Sequence, residues 1–212
     1  MSANQQGCLV TSYAIQMIIP QINPNGTVLV LAMTYTDNSP GKKPWTNARI
    51  PVETVKAKET FTEALYRGLE EEVYNREGPR NRTAVKGSFS FVTTTDDNRN
   101  QGGIHAKVAI DVEGIAHNEP ELLRNVSQAD DDDPHEIHGP IVSIEIGQLI
   151  RNGLNGFQLM RAHAVSLCAY LNDLSVRNRE VALQYTEILS HPYRHTPPNK
   201  KCAEEIQLFL HG

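Results

Sequence analysis

Residues 51–75 read PVETVKAKETFTEALYRGLEEEVYN, and they hold the strongest structural pattern in the chain. Four apolar side chains recur there at intervals of four: Phe61, Leu65, Leu69 and Val73. Because an α-helix has about 3.6 residues per turn, side chains four residues apart lie in one stripe along the same side of the helix. The pattern predicts an amphipathic helix from Thr60 to about Tyr74, with its apolar stripe against a core.

A second stripe on the same helix is charged. Its members also follow one another at intervals of four: Glu59, Glu63, Arg67 and Glu71. Side chains four residues apart are neighbours on a helix surface, so Arg67 can pair with Glu63 or with Glu71. Such pairing would hold a row of carboxylates in place and offset their mutual repulsion.

The end of this helix carries two adjacent carboxylates, Glu71 and Glu72. Positions 68, 71 and 72 share one helix face, because residues three and four apart are neighbours. Carboxylates on such a face can hold Mg²⁺, which can neutralise the charge that develops on phosphate oxygens during hydrolysis. Gly68 supplies no carboxylate to this face. Taken alone, the acidic run 70–72 is typical of a solvated helix face, and a metal site is the alternative.

The segment resembles the signature of Nudix hydrolases, G-x5-E-x7-R-E-U-x-E-E-x-G-U, in which U is a bulky apolar residue. Glu59 matches the first Glu of that signature, and Arg67 matches the Arg after seven intervening residues. Leu69 matches the apolar position, and Glu71 and Glu72 match the paired Glu. With this spacing, an inherited metal-site geometry is favoured over the solvated face.

Four positions depart from the family pattern. Pro51 lies where the family usually has Pro-Gly-Gly, but Val52 and Glu53 replace the two glycines. Gly68 replaces a Glu that is usually a principal metal ligand, and Tyr74 replaces the Gly that ends the helix. A glycine inside a helix costs about 0.5–1 kcal/mol relative to alanine, so Gly68 indicates tolerance, close packing or room for a ligand.

Outside this segment, strands and helices are predicted from periodicity. Apolar patterns predict strands near residues 12–20, 27–35, 49–55, 83–95, 103–112 and 140–146. Helical spacing predicts further helices near residues 157–174, 179–189 and 203–210. The acidic segment 113–139 is predicted to be irregular, with Asp130–Asp133 in an exposed loop.

The order of these elements agrees with the resemblance. It implies an α+β fold, a Nudix-like α/β/α sandwich with a mixed sheet and a C-terminal helical extension. We expect the Nudix-like domain to cover residues 8–175. Residues 176–212 would form the extension, packed on the same domain or supplying the surface of a homodimer.

For function, the resemblance implies a metal-dependent pyrophosphohydrolase acting on a nucleoside diphosphate linked to another moiety. Glu71 and Glu72 would bind Mg²⁺ or Mn²⁺, and Glu59 is a third candidate ligand. Arg67 would orient the carboxylates. Glu136, just before the late strand, would be an extra ligand or the base. The candidate catalytic residues are therefore Glu72, Glu71, Arg67 and Glu136.

The missing carboxylate at Gly68 leaves a second hypothesis open. If nothing compensates for it, the activity would be weak or atypical. The alternative is a catalytically inactive Nudix-like module that binds a nucleotide or regulates a protein partner.

The amino-acid composition indicates what class of protein this is and which partners and compartment to expect. The chain has 212 residues, 39% of them hydrophobic and 21% charged, as expected of a soluble globular protein. A net charge of −5 provides no basic surface for sequence-independent nucleic-acid binding. No apolar run approaches the roughly 20 residues of a membrane span, and no secretory signal pattern begins the sequence. We expect a cytoplasmic protein with reduced cysteines and a nucleotide-derived small molecule as its partner.

Other motifs give little support to other chemistries. HEIH at residues 135–138 is not the HExxH motif of zinc proteases, because Gly139 stands at the final His position. The sequence has no GxSxG, no GxxxxGK[ST] and no GxGxxG. His105 and His163 are expected to be structural.

Overall fold

The computed structural model describes residues 10–74, 89–97, 104–112, 120–130 and 133–190, together with residues 204 and 208. The strands are β1 (Val10–Ile18), β2 (Pro20–Ile22), β3 (Val28–Asp37), β4 (Trp45–Arg49), β5 (Val52–Thr54), β6 (Phe89–Asp97), β7 (Ile104–Val112), β8 (Gln128–Ala129), β9 (Glu136–His138) and β10 (Val142–Glu145). The α-helices are α1 (Phe61–Gly68), α2 (Ile146–Asn152), α3 (Arg161–Arg177), α4 (Arg179–Gln184) and α5 (Thr186–Ser190). A π-helical turn, Leu69–Val73, follows α1 directly, and a 3₁₀ turn covers Pro120–Leu122. The predicted helix 203–210 lies outside the described residues, apart from positions 204 and 208.

The strands form two sheets. One has four strands in the order β5-β1-β7-β6. Since β1 and β7 run parallel while β5 and β6 pair antiparallel with their neighbours, this sheet is mixed. The other has six strands around β3, which pairs with β2, β4, β9 and β10, with β8 beyond β9. The predicted α+β class and mixed sheet are confirmed.

Alternate residues of β1 face opposite sides of its sheet. Ile15 and Met17 belong to one apolar cluster with Leu65 of α1. Ile18 belongs to a second cluster with Leu171 of α3. Because successive side chains of a strand point to opposite faces, helices cover both sides of the sheet. This arrangement confirms the predicted α/β/α sandwich.

The helix at the centre of the sequence pattern begins with a capping box. The Thr60 side chain accepts a hydrogen bond from the Glu63 N–H, and the Glu63 carboxylate accepts one from the Thr60 N–H at 2.8 Å. Glu63 is thus held at the helix start, and of the two predicted partners of Arg67 it is Glu71 that forms the ion pair.

The last turn of this helix differs from the prediction of one regular helix to Tyr74. Residues 69–73 form a π-helical turn, after which Tyr74 is extended, with φ −86° and ψ 154°. Tyr74 bridges to Leu123 instead of entering the left-handed region. Glycine is therefore not required at position 74.

Several short elements were missed or displaced in the sequence prediction. The segment 113–139, predicted to be irregular, contains β8 and β9, which pair with each other. The late strand ends at Glu145, whose side chain caps the unpredicted helix α2. The following helix is α3 rather than residues 157–174, because Gly153 and Gly156 lie in a turn region with positive φ. Strands of two or three residues are too short to show a period.

The C-terminal helices contact the main core. Val181, Tyr185 and Ile188 belong to the same buried cluster as Leu171 of α3. The Tyr185 hydroxyl accepts a hydrogen bond from the Val28 N–H of β3 at 2.9 Å. Among the described residues, no helix is both long and apolar enough to cross a membrane.

Candidate functional site

A polar cleft of about 240 Å³ opens where β4, β5, the π-helical turn and the β8–β9 segment meet. Its walls are mostly charged or hydrogen-bonding side chains. The lining residues are Arg49, Val52, Glu53, Thr54, Glu71, Glu72, Gln128, Asp130, Asp133, Glu136 and His138. Six carboxylates from three segments of chain therefore converge on one small volume.

On one side of the cleft, carboxylates gather around Arg67, and we call this group the Arg67 cluster. Arg67 Nε and Nη2 bind the two oxygens of Glu59 at 2.9 and 2.8 Å, which is a bidentate pair. Its Nη1 lies 2.7 Å from Glu53 Oε1 and 3.1 Å from Glu71 Oε2. Its Nη2 also donates to the Thr54 carbonyl at 2.7 Å. One guanidinium thus fixes three carboxylates and ties α1 to β5.

The charged groups of this cluster shift each other's pKa values. The hydrogen bonds from Arg67 hold the pKa of Glu59 below its usual range. Conversely, the hydrogen bond to Glu59 is the largest cause of a raised pKa for Arg67. Burial raises the pKa of Glu53 to about 7, even though Arg67 opposes this shift. The charge of Glu53 therefore depends on pH near neutrality.

On the other side, Glu72 and His138 form a buried group with Arg49, which we call the Arg49 cluster. His138 Nδ1 lies 2.9 Å from Glu72 Oε1, and His138 Nε2 lies 2.8 Å from Arg49 Nη2. An arginine can only donate, so His138 Nε2 is the acceptor and Nδ1 carries the proton toward Glu72. Asp130 Oδ2 lies 3.5 Å from the same Nε2.

Strand register explains why these side chains meet. Tyr35 of β3 lies opposite His138 of β9 and opposite Asn47 of β4. Arg49 follows Asn47 by two residues, so its side chain is on the same sheet face as those of Tyr35 and His138. The Arg49 guanidinium lies 4.1 Å from the Tyr35 ring centroid, in a cation–π contact.

Glu136 is hydrogen-bonded to Tyr35 on this same sheet face. Burial raises the pKa of Tyr35, and the hydrogen bond from its hydroxyl to Glu136 raises it further. The Tyr35 hydroxyl therefore stays protonated and donates to the Glu136 carboxylate. Glu136 precedes His138 by two residues on β9, which places both on the cleft side of the strand.

The donor atoms of Glu72, Asp130 and His138 are close enough to hold a metal ion once Arg49 releases His138 Nε2. One atom from each lies within 4.8 Å of the other two. The Glu72 side chain is only 6% exposed, and its Oε2 accepts no hydrogen bond among the described residues. Carboxylate oxygens and an imidazole suit a divalent cation such as Mn²⁺ or Mg²⁺. Arg49 Nη2, 3.6 Å from Glu72 Oε2, supplies the positive charge beside these donors here.

The predicted site residues fall into two groups. Glu71, Glu72 and Glu136 line the cleft together. Arg67 stands behind the wall with Glu59, and neither is among the lining residues. Asp130 and Asp133, the two described members of the predicted exposed loop Asp130–Asp133, do lie in a loop, but both are half-buried and line the cleft.

The site also contains Arg49 and His138, which were not predicted from the sequence. His138 belongs to HEIH, in which only Glu136 was predicted as a site residue. Its spacing of two from Glu136 is the signal that could have found it, because alternate strand residues share a face. His163 is structural as predicted: its Nδ1 accepts a hydrogen bond from the Ile50 N–H at 3.2 Å.

Comparison with solved structures finds proteins of the same architecture. A proposed Nudix hydrolase from Listeria monocytogenes matches with a TM-score of 0.50 and 9% identity, over 79% of this chain and 96% of that one. The Escherichia coli ORF135 protein matches with a TM-score of 0.49 and 18% identity, over 80% and 94%. The Nudix domain of Shewanella oneidensis NrtR, complexed with ADP-ribose, matches with a TM-score of 0.44 and 10% identity, over 80% and 90%.

Comparison of the sequence with known sequences and family models finds no match. No family model matches the chain, and no curated protein matches it. The architecture is nevertheless preserved at this low identity, and the chain has the Nudix fold.

Proposed function

We propose that this protein is a metal-dependent hydrolase of a phosphoanhydride bond, acting on a nucleoside diphosphate linked to another moiety. The observation that supports this most is Oε2 of Glu72, which is buried, accepts no hydrogen bond among the described residues and has only Arg49 near it, at 3.6 Å. Such an oxygen gains from a closely bound cation. Glu72 lines a cleft with five further carboxylates, which is an arrangement suited to a divalent cation.

The position of each residue in the cleft indicates its proposed role. Glu71 and Glu72 would hold Mg²⁺ or Mn²⁺, with Asp130 and His138 as further donors. When bound, the cation supplies positive charge against the phosphate oxygens and acidity toward the attacking water. Glu136 would be the base, held by the hydroxyl of Tyr35.

The remaining candidate residues act through others. Arg67 and Glu59 are positioning residues, because they fix Glu71 without lining the cleft. Arg49 lines the cleft and carries a permanent positive charge. In the presence of substrate, its guanidinium is suited to bind a phosphate oxygen while the cation takes its place beside Glu72.

A second candidate function is a binding module without catalysis. The observation that favours it is the position of Arg49, whose guanidinium already supplies a charge to Glu72 and a hydrogen bond to His138. A site neutralised by its own arginine can bind a nucleotide-derived ligand without any metal ion. The two functions differ in whether Mn²⁺ binds.

Turnover of a substrate panel tests the proposal. The purified protein is incubated with Mg²⁺ or Mn²⁺ and nucleoside triphosphates, ADP-ribose, dinucleotides and nucleotide sugars. Glu72→Gln keeps the shape of the side chain but removes its charge, so we expect turnover to fall by about 100-fold or more. Glu70→Gln, on the same turn but outside the cleft lining, is the matched control and should retain activity.

The outcomes separate the two functions. Turnover that is lost in Glu72→Gln and kept in Glu70→Gln supports the hydrolase. A ligand of the panel that raises the melting temperature without turnover, and without any need for Mn²⁺, would establish the binding module instead.

A further inference from the structure

Two departures from the Nudix signature, Glu53 and Gly68, face each other in space. A Cβ added at Gly68 would lie 2.5 Å from Glu53 Cβ and 2.8 Å from Glu53 Cγ. Non-bonded carbon atoms do not approach so closely. The space next to the helix at position 68 is therefore filled by the stem of the Glu53 side chain from β5.

The backbone does not by itself require glycine at position 68. Gly68 has φ −61° and ψ −34°, which is ordinary right-handed helix open to any residue. Of the three explanations for this glycine, the structure selects close packing. Gly68 is small because Glu53 is present, so the two departures are one coupled change rather than two separate losses.

We infer that Glu53 supplies, from strand β5, the metal-binding carboxylate that the box helix lacks at position 68. In effect Gly and Glu have exchanged places across the contact between β5 and α1. The inference rests on the proposed metal-dependent function and deepens it, because it names the residue that compensates for Gly68.

The position of the Glu53 carboxylate supports this role. Its side chain is 10% exposed and lines the same cleft as those of Glu71 and Glu72. Glu53 Oε1 accepts hydrogen bonds from the Thr54 N–H and from Arg67 Nη1, both at 2.7 Å. Since the same Nη1 binds Glu71 Oε2, the carboxylates of Glu53 and Glu71 are held side by side.

An independent observation favours a cation in this cleft. Glu72 lines the cleft together with Glu53 and Glu71, and its buried Oε2 accepts no hydrogen bond among the described residues. A metal ligand at residue 53 would supply a further oxygen from the cleft wall. The cation would then be held by the strand and by the helix end together, instead of by the helix alone.

Mn²⁺ binding tests the role of Glu53 directly. Binding is measured by electron paramagnetic resonance of free Mn²⁺ and by titration calorimetry, without substrate. Glu53→Gln keeps the size of the side chain, and we expect it to weaken Mn²⁺ binding by about 10-fold or more. Glu70→Gln, the control outside the cleft lining, should bind Mn²⁺ like the wild type.

The exchange itself is tested by a cycle of Gly68→Glu, Glu53→Gly and the double variant, with urea unfolding in EDTA. Gly68→Glu alone should be strongly destabilised, because its new Cβ meets Glu53. The double variant should recover most of that stability and regain Mn²⁺ binding that Glu53→Gly has lost. If Gly68→Glu does not fold, comparison of the double variant with Glu53→Gly still decides the matter.

The failures of the two proposals are distinguishable. If wild type binds Mn²⁺ and Glu72→Gln does not, but Glu53→Gln binds as well as wild type, the inference about Glu53 is wrong while the metal site stands. If wild type binds no Mn²⁺, both proposals are overturned. If only the double variant binds Mn²⁺, Glu53 is no substitute for a carboxylate at position 68.

Discussion

The two arginine clusters on either side of the cleft are built differently. Arg67 has its nitrogens bound to carboxylates at 2.7–3.1 Å, and its side chain is 18% exposed. Arg49 is more deeply buried and has looser partners: an imidazole, an aromatic ring and Glu72 at 3.6 Å. Its Nε atom donates no hydrogen bond among the described residues.

This difference suggests different roles: the Arg67 cluster positions the carboxylates, and the Arg49 cluster offers contacts to a ligand. In the Arg67 cluster, one guanidinium binds three carboxylates directly, so the cluster joins α1 to β5 and fixes Glu53 and Glu71 at the wall of the cleft. In the Arg49 cluster, Oε2 of Glu72 and Nε of Arg49 are buried and have no hydrogen-bond partner among the described residues. A cation or a phosphate can improve these contacts, and we expect ligands to act there.

The largest predicted effect follows from removing Arg49. Arg49→Met would leave Glu72 buried without a positive partner, and breaking a buried ion pair from one side costs about 3–5 kcal/mol. We expect the free energy of unfolding in EDTA to fall by an amount in this range, measured by urea denaturation. Mn²⁺ should restore part of it, because a cation that binds only the folded state stabilises that state.

Arg49→Lys is the control for charge alone. It should be less destabilised than Arg49→Met, since a positive charge remains near Glu72. A loss of less than about 1 kcal/mol in Arg49→Met would contradict the comparison, because that is the size expected of an exposed pair.

The second prediction concerns pH and the Glu53 carboxyl. A carboxyl whose pKa is higher in the folded state than in the unfolded state stabilises the fold when it is protonated. For Glu53 this contribution is complete below 4.5, its ordinary value, and is lost as the pH rises through about 7. Relative to Glu53→Gln, the wild type should lose up to about 3 kcal/mol of stability between pH 4.5 and pH 8.

Glu59 provides the matched test, because its shift has the opposite sign. Arg67 lowers the pKa of Glu59, so its contribution is present above its unfolded value and is lost as the pH falls. Unfolding curves from pH 3 to pH 8 for Glu53→Gln and Glu59→Gln should therefore diverge from wild type in opposite directions. Parallel curves for Glu53→Gln and wild type would contradict the burial argument.

The Arg67 cluster was largely predictable from the sequence, and the reason is locality. Arg67 and Glu71 are four residues apart on one helix, so helical geometry alone brings them together. Glu59 belongs to the same motif. The resemblance carried by that motif also implied the sandwich, and the order of the predicted strands around it agreed.

The Arg49 cluster was not predictable for the converse reason. Arg49 and His138 are 89 residues apart, and they meet only because β4 and β9 both pair with β3. Pairing between strands that are so far apart in the chain produces no repeating pattern of residues from which the contact could be predicted. In the same way, Glu53 and Gly68 each appear in the sequence as a lost family residue. Only the structure shows that the two residues are packed together, because a Cβ added at Gly68 would lie 2.5 Å from Glu53 Cβ.

The smallest predicted effect comes from a conservative change in the Arg67 cluster. Arg67→Lys keeps the charge, but a single ammonium cannot fork between Glu53, Glu59 and Glu71 as a guanidinium does. We expect a loss of about 1 kcal/mol in the free energy of unfolding, because the cluster is partly solvated. Mn²⁺ should restore less of this loss than of the loss in Arg49→Met, because Arg67 does not line the cleft, whereas Arg49 lies beside Glu72 there. Equal rescue of Arg67→Lys and Arg49→Met by Mn²⁺ would contradict this difference between the two clusters.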